Sequence, residues 1–181
     1  VLIMAEHNRG KSTTALRLAL AGFPLLCDSM IFLPPDSEEL QLLGFPVGQV
    51  KLRQDMIAEF PRVQPFLEAE SVRGEKKYSL DLRSLDASLV EDRAAFPSTA
   101  DLCLLDRGDG VSSRLEAVSP EMVMDAIMLN SLFYDTEDVW CRNLQGIQRL
   151  LDRAHCYRLV IGSDPAGIVE TVAALWAGPR E

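Results

Sequence analysis

Val1-Leu2-Ile3-Met4-Ala5-Glu6-His7-Asn8-Arg9-Gly10-Lys11-Ser12-Thr13 opens the chain and decides how the rest of it is read. Val1 to Met4 is an apolar run of strand-forming residues. Residues 5–12 fit the P-loop pattern G-x-x-x-x-G-K-[ST] everywhere except at its first glycine, where Ala5 stands. From Thr13 to Leu20, Ala15, Leu16, Ala19 and Leu20 recur at helical spacing. Gly22 and Pro24 stop that helix. Leu25-Leu26-Cys27 then reads as a short buried strand with Asp28 at its end.

The chemistry of such a loop follows from the charge of its ligand. A triphosphate is densely anionic, and successive backbone N–H groups at a helix N-terminus offer it a concave set of donors. Gly10 lets the backbone come close, Lys11 reaches the β- and γ-phosphates, and the Ser12 hydroxyl ligates Mg²⁺. Asp28 can hold that Mg²⁺ through water or accept a proton from an attacking hydroxyl. Ala5 requires the turn off the strand to be made without a positive φ, and Asn8 is a residue type that tolerates the left-handed region. Glu6 places negative charge beside the phosphates and must point away from them. The plain alternative is a strand–turn–helix that happens to contain Gly-Lys-Ser. The order of strand, loop and helix favours nucleotide binding over it.

A chain of 181 residues is enough for one domain with a real core. The net charge of −9 argues against duplex nucleic acid, which selects a basic face, and against an anionic membrane surface. No apolar run approaches the length of a membrane span; the longest candidate, Ala15 to Leu26, is interrupted by Arg17 and Pro24. Cys27, Cys103, Cys141 and Cys156 show no C-x-x-C spacing, and Cys27 and Cys103 lie in strand-like runs. Buried free thiols and a cytoplasmic location are therefore expected, and a zinc site is not. The chain opens on valine in mid-strand, so residues upstream of it are expected, and a targeting segment among them is left open.

Further along, Met30 to Leu33 continues as a strand ended by Pro34-Pro35, and Asp36 to Glu39 is an acidic turn. Gly44 to Leu52 reads as a turn into a short strand, Asp55 to Phe60 as a short helix, and Pro61 to Glu75 as a polar mobile loop. Lys76 to Leu82 alternates like a strand whose basic start is a solvated strand entrance or touches phosphate or an acidic substrate. Leu102-Cys103-Leu104-Leu105-Asp106 is a strand ending in a carboxylate, of the kind that helps hold Mg²⁺ beside a P-loop. Two carboxylates, Asp28 and Asp106, thus compete for that role. Gly108-Asp109-Gly110 is a turn, and Ser112 to Val118 an exposed strand. Ser119-Pro120 starts a helix, Thr136 caps the next, Tyr157 to Ile161 is a strand, and Asp164-Pro165 begins a last helix through Trp176.

The loop followed by Ala21-Gly22-Phe23-Pro24-Leu25-Leu26-Cys27-Asp28 resembles the kinase domain of HPr kinase/phosphorylase. It is most similar to the short HPr-kinase-like proteins, some of which accompany peptide-modification systems. The family's stretch ends in two adjacent aspartates; here Asp28 takes the first position and Ser29 the second. The family's loop can carry an acid at its second position, as Glu6 does, and its catalytic-site histidine lies upstream of the loop, before this chain begins. Asn130-Ser131-Leu132-Phe133 and Tyr157-Arg158-Leu159 extend the resemblance loosely over the last third. Lys51 falls at a family lysine, although on its own it reads as one more solvated surface charge.

The resemblance implies an α/β fold, a P-loop kinase like the HPr kinase C-terminal domain and phosphoenolpyruvate carboxykinase, with a mixed sheet and flanking helices over residues 1–181 as a single domain. It implies an ATP- and Mg²⁺-dependent serine kinase acting on a protein or peptide, and self-association. Ala5, Glu6, His7, Asn8, Arg9, Gly10, Lys11, Ser12 and Thr13 would bind the nucleotide. Ser12, Asp28 and Asp106 would serve the metal, and Asp28 with Lys11 the catalysis. The alternatives are a small-molecule kinase and a non-catalytic nucleotide-binding module; Ala5 and Ser29 feed the latter.

Overall fold

The computed structural model describes residues 1–6, 8–34, 39–72, 75–91, 98–130 and 136–177. In chain order the elements are β1 (Leu2–Met4), α1 (Lys11–Leu20), β2 (Cys27–Phe32), β3 (Leu43–Val47), β4 (Gln49–Arg53), β5 (Glu68–Val72), β6 (Glu75–Asp81) and α2 (Leu82–Leu85). They continue with β7 (Ala100–Arg107), β8 (Arg114–Ala117), α3 (Pro120–Asn130), α4 (Glu137–Leu151), β9 (Ala154–Ile161) and α5 (Pro165–Ala177). The protein is mixed α/β, with a mixed sheet and helices. No helix among the described residues is long and apolar enough to cross a membrane.

Two compact units divide the chain. The first comprises Val1–Lys11, Leu33–Gln41 and Phe96–Glu181; the second comprises Ser12–Phe32 and Leu42–Ala95. The second is thus inserted in sequence between β1 and β7, and the division falls at the start of α1.

The first unit is built on a four-stranded sheet in the order β1-β7-β9-β8. β1, β7 and β9 run parallel, with Met4 opposite Leu104 and Leu105 opposite Leu159, and β8 returns antiparallel to β9. Parallel central strands are covered on both faces, so their sequences are continuous apolar runs rather than alternating ones. Leu102, Cys103 and Leu159 are accordingly buried. α3 packs on β7, α4 on β9 and α5 on β8. The apolar stripe of α4 buries Ile147, Leu150 and Leu151, and α5 buries Ile168 and Val172. The Asp164 carboxylate accepts hydrogen bonds from the Ala166 and Gly167 amides, capping α5. Thr136 precedes α4 without a side-chain cap bond.

The second unit holds the antiparallel sheet β4-β6-β5 and the two-stranded ribbon β2-β3. Its core gathers Leu16 and Ala19 of α1 with Val50, Leu52, Phe60, Val63, Leu80, Leu82 and Val90. Alternation along β4 explains the arrangement: Val50 and Leu52 are buried, while Gln49 and Arg53 stay in solvent. Gly48, between β3 and β4, has φ 71°, and a Cβ there would lie 2.9 Å from a Val90 methyl.

Several local expectations shift. Leu25 makes only an isolated bridge to Val90, and the strand proper starts at Cys27, so Asp28 stands near the beginning of β2 rather than at a strand end. Residues 44–52 form two strands broken at Gly48. Most of the segment expected to be a mobile loop is ordered: a 3₁₀ turn at Gln64–Phe66 leads into β5, which pairs with β6. Its polar sequence suits a strand because β5 is an edge strand with solvent on one side. Asp36, part of the expected acidic turn, and Ser131 to Phe133 lie outside the described residues.

Candidate functional site

β1 ends at Met4, and the chain turns through Ala5 to Gly10 into α1, whose first residue is Lys11. Asn8 has φ 63° and Gly10 φ 101°. Left-handed residues set among ordinary ones turn neighbouring N–H groups toward one point, which is how a backbone makes an anion cradle. Ala5 is not in the left-handed region, so the departure from glycine there costs no backbone strain. A Cβ on Gly10 would meet Ile161 and Leu105 only at ordinary contact distance, 3.7 and 3.9 Å; its φ, not space, calls for glycine. The loop therefore rests on the apolar ends of β7 and β9.

The Lys11 ammonium folds back over the loop and donates to the Ala5 carbonyl at 2.5 Å and the Glu6 carbonyl at 2.8 Å. Glu6 is exposed, and its carboxylate pairs with Arg9 at 3.2 Å. Ser12 is half-buried and Thr13 buried in the first turn of α1. The neighbouring Thr14 is fully buried, and its hydroxyl has no hydrogen-bond partner among the described residues. His7 lies outside the described residues.

Asp106 belongs to the same unit as residues 1–11. β7 is the immediate parallel neighbour of β1, with Leu104 opposite Met4, and Asp106 stands two residues further along β7, past the end of β1. Asp106 is exposed, and one of its oxygens accepts from the Arg107 amide at 2.8 Å.

Asp28 belongs to the second unit. It sits with Ser29 in an irregularity of β2: Cys27 faces Val47 and Met30 faces Phe45, so two residues of β2 oppose the single Pro46. Such bulges re-aim side chains. The Asp28 carboxylate accepts from the Lys51 amide at 3.4 Å. The partly exposed Lys51 ammonium pairs with Glu70 at 2.9 Å. The hydrogen bonds that Lys51 and Ser79 give Glu70 hold its carboxyl below the usual range. The Lys76 ammonium lies over the Tyr78 ring, 5.6 Å from its centroid.

The partners that matter to these groups were not legible in the sequence. Lys51 and Glu70 are brought together only because both β4 and β5 pair with β6. Ile161 lies under Gly10 because β9 is the second strand from β1. Its only advance signal is the apolar run Leu159-Val160-Ile161.

The residues present fit an anion such as phosphate on one structural ground, the left-handed pair at Asn8 and Gly10 ahead of the start of α1, with a lysine donating to the loop's carbonyls. Among the described residues no three His, Cys, Asp or Glu side chains converge as a metal site of their own. No protein-family model matches the chain, and neither a curated protein nor a solved structure matches it.

Proposed function

We propose that this protein is an ATP- and Mg²⁺-dependent kinase of the HPr-kinase-like kind, transferring phosphate to a serine hydroxyl of a protein or peptide. The observation that carries the reading is the loop: a parallel strand, a turn with left-handed Asn8 and Gly10, a helix beginning at Lys11, and the Lys11 ammonium held over the loop's own carbonyls. The resemblance of Ala21 to Asp28 to the family's stretch narrows it from nucleotide binding to this kinase class.

Phosphoryl transfer asks the protein mainly for positioning and for stabilisation of charge. The loop amides and the α1 terminus bind the phosphates, and Lys11 neutralises charge on the β- and γ-groups. Ser12, with Asp28 or Asp106, would hold Mg²⁺, which draws charge off the phosphate oxygens when bound. The serine oxygen forms a bond to the γ-phosphorus as the bond to the β,γ-bridging oxygen breaks; the hydroxyl proton passes to a carboxylate, and ADP leaves. Asp28 is assigned that proton on the resemblance. Asp106 has the strand position that suits a metal-holding carboxylate, next to the P-loop strand.

A second reading, a nucleotide-binding module without transfer, is favoured by Ser29 in place of the family's second aspartate.

ATP titration by calorimetry in the presence of Mg²⁺ tests the binding step. Wild type is expected to bind and Lys11→Ala to lose at least tenfold in affinity, with the melting temperature nearly unchanged; equal affinities would sink the assignment of the loop. A phosphate-sized mass gain on a serine peptide incubated with wild type separates the kinase from the module.

A further inference from the structure

The ribbon β2-β3 turns four large apolar side chains to solvent. Met30 is opposite Phe45 and Phe32 is opposite Leu43. Their exposures are 38%, 57%, 52% and 37%. The strand period of two puts Met30 and Phe32 on one face of β2, and the cross-strand register puts Leu43 and Phe45 beside them. The residues between them, Ile31 and Gly44, are only partly exposed. The result is a continuous apolar strip, where scattered single residues would be ordinary.

The ribbon's geometry limits what can cover it. Pairing at an edge is hindered, because β3 carries Pro46, which has no N–H to donate, and β2 carries the irregularity at Asp28-Ser29. A partner must therefore lie on the face. The strip offers on the order of 400 Å², since a large aromatic side chain carries roughly 200 Å². A stable interface between folded proteins needs about 800 Å² from each partner. A second copy docked through this strip alone is too small a contact, whereas an extended segment with a few apolar side chains is matched to it.

We infer that the β2-β3 strip docks the acceptor: an extended peptide segment bearing aliphatic or aromatic side chains at alternate positions near its serine. The inference rests on the reading of the chain as a kinase for protein or peptide serine. Such an enzyme uses binding energy remote from the reacting hydroxyl to hold it in place. Asp28 stands on the same strand two residues before Met30, so the strip and the carboxylate assigned to the hydroxyl proton belong to one element.

The test uses a short synthetic peptide with one serine and leucines at alternate positions, and the same peptide with glutamine at each leucine. Binding to the whole chain is measured by fluorescence anisotropy without nucleotide, so that failure of ATP binding and failure of docking are read separately. The leucine peptide is expected to bind at least tenfold tighter than the glutamine peptide. Phe32→Ser/Phe45→Ser is expected to abolish that difference while keeping the wild-type melting temperature and ATP titration. In wild type, the Met30 methyl resonance should shift on adding the leucine peptide, which covers the case of a double variant that folds poorly. Equal binding of the two peptides, an unmoved Met30 methyl, or a folded double variant that still prefers leucine would overturn the proposal. A wild-type dimer in sedimentation that the double variant dissolves, with no peptide preference, would assign the strip to a second copy instead.

Discussion

At the scale of single residues, the proposed chemistry rests on the loop and the two carboxylates. The Lys11 ammonium donates to the Ala5 and Glu6 carbonyls; on the proposed reading, a phosphate oxygen would take the place of a carbonyl. The carboxylates can be ranked by experiment. If Asp28 takes the hydroxyl proton, Asp28→Asn lowers the transfer rate by roughly a hundred- to ten-thousandfold with ATP affinity nearly intact. Asp106→Asn is expected to act instead on the Mg²⁺ concentration needed for half-maximal rate, as befits its place beside β1. Rates measured over a Mg²⁺ series decide it, and the opposite ranking would transfer the proton-accepting role to Asp106. The cysteines stay out of this chemistry. Burial pushes the Cys103 thiol up to about 12 and raises Cys27 and Cys156 as well, so none of the three is a ready nucleophile near neutral pH.

At the scale of elements, helix termini show how similar sequence signals do different work. Asp164-Pro165 and Thr136-Glu137 both look like helix starts, yet only the Asp164 side chain bonds the first-turn amides. Asp164→Ala should cost about 1 kcal/mol and Thr136→Ala close to nothing, read from urea denaturation midpoints at constant slope. Equal losses would show that Thr136 does cap α4 in solution. The ribbon illustrates the complementary point. Met30 to Phe32 was legible as an apolar strand, whereas β3 lay in a stretch read as a turn; neither reading says which residues face the core, and here two on each strand face solvent.

At the scale of the whole chain, two cores are built from interleaved segments. Leu102 is fully buried in β7 and Leu80 in β6. Replacing either with alanine should cost about 2–5 kcal/mol, the range for deleting a buried leucine side chain. Native-state hydrogen exchange can locate the loss. Leu102→Ala is expected to release amides of β7 and β9 first, and Leu80→Ala those of β4 and β6. Uniform release over both groups from either variant would mean that the chain opens as one cooperative body.

The sequence by itself determined the α/β character, the turn from β1 through the loop into α1, and most of the later strands and helices. Those are local properties: apolar period, glycine and proline punctuation, and a motif whose backbone demands are met within about ten residues, as Asn8 and Gly10 show. Tertiary structure alone decided the strand order, and with it that Asp106 stands beside the loop's strand while Asp28 sits in the irregularity of β2, bonded to the Lys51 amide. It also decided that a polar stretch after Pro61 becomes the edge strand β5, and that Lys51 meets Glu70 across β6. The physical reason is the same in each case. Pairing between strands joins residues tens of positions apart through backbone hydrogen bonds, which every residue but proline can make, so the side-chain sequence leaves little record of which strand will be the neighbour.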